Sequence, residues 1–197
     1  MAALHDAGTG ATVVFYASLG AFVLLEQRTR IRSVRNRDGA RSDRGSILVV
    51  IAAVTIGIVG AFLVADDVRG AAIGSGRWGF FAVGIGLMWA GIVIRQWSIA
   101  ALGRFFTIDV RVQPGQPVVD GGPYRWVRHP SYSGMILTLS GLGLALGNWL
   151  SLALLAVVPT VGLIIRIRVE ERALLDALGE PYERFAASRK RLVPGLW

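Results

Sequence analysis

From Ser46 to Ala65 the chain carries no charged side chain, and this run constrains the fold more than any other feature. The hydrocarbon core of a bilayer takes ~20 apolar residues as a helix. In lipid every backbone N–H and C=O must be satisfied inside the protein, so a run of this kind has to be helical. Four further apolar segments flank it, at about Ala11–Leu25, Trp78–Leu102, Tyr132–Gly147 and Trp149–Ile165. The Trp78 segment is long enough to span, although Arg95 and Gln96 sit near its end. The other three are short, and need flanking residues or a bundle to cross. Gly147-Asn148 predicts a tight turn between the last two, making them an antiparallel hairpin with Trp149 as an interfacial anchor. Trp78, Trp89 and Trp97 are expected as belt or packing residues. A hydrophobic share of 53% is too high for an ordinary soluble domain. The expected class is therefore an all-α integral membrane protein with about five transmembrane helices.

The net charge of +8 is distributed in a way that argues for topology rather than for nucleic acid. Arg28, Arg30, Arg32, Arg35, Arg37, Arg41 and Arg44 follow the first apolar segment, against Asp38 and Asp43. The next loop carries Asp66, Asp67, Arg69 and Arg77, and the one after it, Gly103–Pro130, is basic again with Arg104, Arg111, Arg125 and Arg128. Alternate loops are basic, which places them in the cytoplasm with the N-terminus outside and the C-terminus inside. No nucleic-acid partner is expected, since the arginines lie between apolar runs and match no such motif. Membrane lipids are, with Arg189-Lys190-Arg191 suited to anionic headgroups. No cleavable signal peptide is expected, because Met1–Thr9 has no basic region. The chain contains no cysteine, which excludes a disulfide framework, a thiolate metal site and a cysteine nucleophile.

Two charged clusters stand where the chain meets the membrane. Gly121-Gly122-Pro123-Tyr124-Arg125-Trp126-Val127-Arg128-His129-Pro130-Ser131-Tyr132-Ser133-Gly134 opens the hairpin, and Arg166-Ile167-Arg168-Val169-Glu170-Glu171-Arg172 closes it. The hairpin returns both to one membrane face. Ionisable groups are costly at that depth, so their clustering suggests a site. Pro130 suits the first turn of a helix, and the amides after it are placed to meet an anion. Tyr124, Arg128 and His129 converge on that point. Arg166 and Glu170 are four residues apart and share a helix face, on a helix expected to stop at Gly179. Arg95, about two turns inside its helix, is either a site residue or a support for one. The glycines of Gly84-Ile-Gly86 and Gly141–Gly147 lie in apolar runs, so they are read as helix-packing positions rather than a dinucleotide loop.

At these residues the chain resembles the isoprenylcysteine carboxyl methyltransferase family, integral membrane enzymes that use S-adenosylmethionine. The resemblance rests on Leu102-Gly103-Arg104-Phe105-Phe106-Thr107, Gly122-Pro123-Tyr124-Arg125, Arg128–Gly134, Glu170-Glu171, Gly179-Glu180-Pro181-Tyr182 and Arg191-Leu192-Val193-Pro194. It covers about Trp89 to the C-terminus. It implies one domain over 1–197, with residues 1–77 a variable helical part and 78–197 a catalytic core. That core has a cytoplasmic cofactor-binding segment and C-terminal helices. It further implies that Arg111, Gln116, Pro117, Val118, Val119, Tyr124, Arg128, His129, Pro130, Ser131, Tyr132 and Glu170 hold S-adenosylmethionine. Arg166 then grips the acceptor carboxylate, with Glu171 and Arg95 in catalytic roles and no metal. The expected substrate is lipophilic, a small molecule or a prenylated protein, and the expected location is a bacterial plasma membrane with the site facing the cytoplasm.

These residue types suit that chemistry. A carboxylate nucleophile is already ionised at neutral pH and needs no base. Catalysis then rests on holding it in line with the methyl group in a dry cavity. Residues 1–77 match no motif of the family, so the acceptor stays open among lipid acids, amines and thiols. An amine or thiol would need a base, with His129 or Glu171 as candidates. A nicotinamide-dependent membrane reductase, which shares the Arg-His-Pro-x-Tyr stretch, and a non-catalytic lipid-binding protein are the alternatives.

Overall fold

The computed structural model describes residues 8–35, 40–41, 45–195 and 197. His5, Arg37, Asp38, Asp43 and Arg44 lie outside them, as does the expected position of the N-terminus. Six α-helices carry the fold among the described residues: α1 Gly8–Arg35, α2 Ser46–Asp67, α3 Arg77–Leu102, α4 Pro130–Ala145, α5 Trp149–Leu178 and α6 Glu180–Ser188. A two-residue antiparallel ladder joins β1, Ala40–Arg41, to β2, Arg111–Val112. Four helices, α1, α2, α3 and α5, are long and apolar enough to cross a bilayer.

The segment expected as a fifth span is different. α4 has 16 residues, about 24 Å of helix, which is short of the ~30 Å hydrocarbon core. It packs between α3 and α5, and most of its residues are buried. Two other boundaries moved. α1 runs past Leu25 through Arg28, Arg30 and Arg32, so these arginines extend a helix instead of forming a loop. α5 is a single continuous helix that carries the apolar run and the Arg166–Arg172 cluster together.

Small residues set the closest helix crossing. A Cβ on Gly91 would stand 2.4 Å from Thr138 Oγ1 and 2.5 Å from the Gly134 carbonyl oxygen. Gly84 and Gly141 make equally close approaches along the same α3–α4 seam. These positions serve packing, which in lipid depends on close backbone contact. Pro159, inside α5, lies 3.3 Å from where a Cβ on Gly57 of α2 would be. Gly147 turns the α4–α5 hairpin with φ 71°. Asn148 then caps α5, its side chain accepting from the Leu150 and Ser151 amides while donating to the Val68 carbonyl at 3.1 Å. Trp78, Trp89, Trp97 and Trp149 all have exposed faces on the bundle surface.

Beyond α6 the chain returns to the start of α4. The Arg128 and His129 amides donate to the Lys190 and Arg191 carbonyls at 2.8 and 2.9 Å, and Ser133 Oγ donates to the Leu192 carbonyl at 2.6 Å. The tail thereby fixes the segment in which the polar cluster lies.

Candidate active site

One cavity at this end of the bundle gathers the expected residues. Its wall is built by α3, α4 and α5, by the loop from Phe105 to Val119, and by α6. It encloses about 1170 Å³ not filled by protein atoms, including solvent at its mouth. Arg95, Arg111, Gln116, Pro117, Val118, Val119, Tyr124, Arg128, His129, Ser131, Tyr132, Arg166 and Glu170 all line it. Pro130 and Glu171 do not. Pro130 is the first residue of α4, where its missing N–H costs nothing.

Tyr132, Glu170 and Arg166 form one hydrogen-bonded chain along the wall. Tyr132 Oη donates to Glu170 Oε2 at 2.6 Å, and Arg166 Nε donates to Tyr132 Oη at 3.4 Å. Tyr132 thus bridges two residues that stand one helical turn apart on α5. Arg166 is buried, and its other nitrogens donate to Ser46 Oγ at 2.8 Å and to the Ile108 carbonyl. The Ile108 amide in turn donates to Ser33 Oγ at 2.6 Å. His129 stacks on Tyr132 with ring centroids 5.6 Å apart and 15° between planes.

Glu171 is not part of the cavity wall and sits among Arg128, His129 and Arg191. Oε1 meets Arg128 Nη1 at 2.8 Å and His129 Nε2 at 3.2 Å. Oε2 accepts from Arg191 Nε and Nη2, each at 2.9 Å. A buried carboxylate with this many donors is a brace, here tying α5, the start of α4 and the C-terminal tail together. Arg95 lines the cavity with its fork already engaged. Nε and Nη2 donate to Glu26 at 2.5 and 2.8 Å, and Nη1 donates to Ser131 Oγ at 2.8 Å and to the Ser131 carbonyl at 3.3 Å.

Two phenols of the wall are held neutral. Burial pushes the Tyr124 hydroxyl well above its ordinary value, and the nearby Glu170 carboxylate adds to the effect. Burial likewise raises Tyr182, with Glu171 and Glu170 adding to it. The Tyr182 hydroxyl is buried against the cavity and has no hydrogen-bond partner in the protein. A buried hydroxyl without a partner is costly, and this one is a candidate donor to a ligand.

The donor set fits S-adenosylmethionine. Glu170 is an acceptor for an ammonium, the positive N-terminal end of α4 suits an anion, and Tyr124, Val118, Val119 and Leu178 offer an apolar wall wide enough for an aromatic ring. Among the described residues, no group of three or more His, Cys, Asp or Glu side chains could hold a metal ion.

Sequence reasoning missed several contributors. Tyr182 stood in a quoted motif without a role, and Phe185 of α6 also reaches the wall. Ile47 and Val50 of α2 line the cavity, and Glu26, Ser33 and Ser46 support it. All five come from the first 77 residues, where no motif flagged them. The signal available was a lone glutamate inside an otherwise basic and apolar helix.

Residues 84–176 match the model of the isoprenylcysteine carboxyl methyltransferase (ICMT) family. Over 84 residues the chain is 32% identical to the uncharacterized protein YpbQ of Bacillus subtilis (strain 168), covering 43% of this chain and 50% of that one. It is 33% identical over 120 residues to protein-S-isoprenylcysteine O-methyltransferase A of Arabidopsis thaliana, covering 60% and 61%. The enzyme of that name in Schizosaccharomyces pombe is 30% identical over 114 residues, covering 57% and 47%. The chain therefore spans about half to three-fifths of the length of these curated relatives. In fold it is similar to the eukaryotic intramembrane Ras methyltransferase ICMT, with a TM-score of 0.63 at 24% identity over 72% of this chain and 52% of that one. Over residues 84–176, just under half of its length, this all-α membrane protein is thus similar in sequence to the isoprenylcysteine carboxyl methyltransferase family.

Proposed function

We propose that this protein transfers a methyl group from S-adenosylmethionine to the carboxylate of a prenylated or similarly lipophilic acceptor. One observation carries the reading: Arg166 and Glu170 line a single cavity one turn apart, with Tyr132 hydrogen-bonded to both. An anion-binding group and a cation-binding group are thereby held a fixed distance apart, as an anionic nucleophile and a cationic methyl donor require.

The cofactor, when bound, supplies an electrophilic methyl group on its sulfonium. Glu170, oriented by Tyr132, would hold the ammonium end, and the N-terminal end of α4 at Ser131 would receive the carboxylate end. The buried Tyr182 hydroxyl, which has no partner in the protein, would donate to an acceptor on the bound cofactor. Arg166 receives the acceptor carboxylate, which takes the place of the Ile108 carbonyl on its guanidinium. A planar fork fixes a carboxylate at two points and so aims one oxygen at the methyl group. No proton moves to a protein base in this step. Apolar side chains from Ile47, Val50, Met135 and Leu163 keep the acceptor end dry and face the lipophilic part of the substrate.

The basic loops support a site facing the cytoplasm, where the cofactor is made, and in this reading the membrane is a bacterial plasma membrane. Membrane lipids surround the helices in this reading, and the acceptor arrives from among them. The test is titration calorimetry with S-adenosylhomocysteine and, separately, with reduced nicotinamide dinucleotides. Binding of the first alone is expected. Binding of the nicotinamide in its place would support a reductase, and binding of neither a non-catalytic membrane protein.

A further inference from the structure

Glu26 is the one acidic side chain of α1, a helix outside the family-matched residues. It does not line the cavity, yet its carboxylate meets Arg95, which does, at two points of 2.5 and 2.8 Å. Arg95 is 5% exposed, and the free edge of its fork is fixed to Ser131 on α4. A buried arginine paired in this way contributes little net field to the cavity. A neutral side chain would sit more cheaply in an apolar helix taken by itself, so the carboxylate is there for the buried Arg95 guanidinium that it meets.

We infer that Glu26 is a positioning residue that tunes the site electrostatically: by pairing with Arg95 it limits the positive potential at the acceptor carboxylate. The inference rests on the proposed methyl transfer. In that reaction an anionic nucleophile and a cationic donor neutralise each other, so the nucleophile loses its negative charge on the way to the transition state. A cation near it stabilises the starting carboxylate more than the transition state, which tightens binding and slows the chemistry. Arg166 has to be present to orient the acceptor. A second cation, Arg95, would add attraction without orientation unless its charge were cancelled. Glu26 cancels it. The first helix thereby controls how strongly the core holds its nucleophile, and supplies a device that the matched segment does not contain.

The experiment is steady-state kinetics with S-farnesylcysteine as methyl acceptor, for the wild type, Glu26→Gln and Glu26→Asp. Calorimetric affinity for S-adenosylhomocysteine, measured on each, reports an intact site. Glu26→Gln should lower KM and kcat together, each by roughly tenfold, the scale of one partly screened charge at several ångströms. The ratio kcat/KM should then change little, a pattern that marks loss of a ground-state effect. Glu26→Asp, which keeps the charge, should recover most of both. A Gln variant with KM raised, or with both parameters unchanged, overturns the inference. So does an Asp variant that behaves like Gln, since geometry and not charge would then matter. Loss of homocysteine-cofactor binding in the Gln variant would make Glu26 a structural brace, again against the inference. A wild type that binds cofactor but makes no ester removes the reading of the reaction, and the inference falls with it.

Discussion

Glu170 and Glu171 are neighbours in sequence, yet their carboxylates meet different partners at the start of α4, Tyr132 for the first and His129 for the second. Glu170 lines the cavity and accepts from Tyr132 at 2.6 Å, whereas Glu171 is locked outside it by Arg128, His129 and Arg191. The two should fail differently. Glu170→Gln is expected to weaken S-adenosylhomocysteine binding by ~1.5–3 kcal/mol, the range for a hydrogen bond to a charged group, with little change in melting temperature. Glu171→Gln is expected to cost ~3–5 kcal/mol of stability, because it leaves buried cations without their counter-charge. Calorimetry and thermal unfolding, run on both variants, check the pair.

Arg166 should separate binding from turnover. Arg166→Lys keeps a cation but not the two-point fork. Cofactor affinity should stay within about twofold and kcat should fall by roughly 100-fold, the scale expected when a reacting group is misplaced by about 1 Å. The check is single-turnover kinetics at saturating cofactor beside calorimetry.

The α3–α4 seam should not tolerate a methyl group. Gly91→Ala would place a Cβ within 2.5 Å of Thr138 and the Gly134 carbonyl, and both helices are held by other contacts. A loss of ~1–3 kcal/mol is expected from overpacking. Gly86→Ala, a position with no atom within 4 Å of such a Cβ, should be silent. Comparative denaturation in detergent reads the difference.

Tyr124 and Tyr182 should resist ionisation. Both phenols are raised above their ordinary value of about 10 by burial and then by nearby glutamates. For a raised folded-state value, the associated stability is present below pH ~10 and is lost as pH climbs from there toward the folded-state value. Tyrosinate absorbance should therefore show these two titrating later than free tyrosine and together with alkaline unfolding. Ionisation of both near or below pH ~10 in folded protein would contradict the burial.

The core half of the site was legible because its constraints are local. Pro130 after His129, the Arg166/Glu170 spacing and the Gly147-Asn148 turn each act within a few residues, and each stands where expected. What was not legible depends on which helices touch. Nothing in the sequence around Glu26 or Ser46 says that they face Arg95 and Arg166, 69 and 120 residues away. The direction of Glu171 was also hidden, because its partner Arg191 arrives from a tail that folds back beyond α6. Counting apolar residues overstated α4, whose 16 residues are buried by neighbours rather than sized to the bilayer.

Purified protein in lipid nanodiscs, given methyl-labelled S-adenosylmethionine and S-farnesylcysteine, tests the central claim most directly. Label should pass to the acceptor as a base-labile methyl ester, releasing volatile methanol on mild alkali, and Arg166→Lys should slow that transfer by roughly 100-fold. Label that enters the acceptor in base-stable form, or no transfer from a cofactor-binding protein, would contradict a carboxylate methyltransferase.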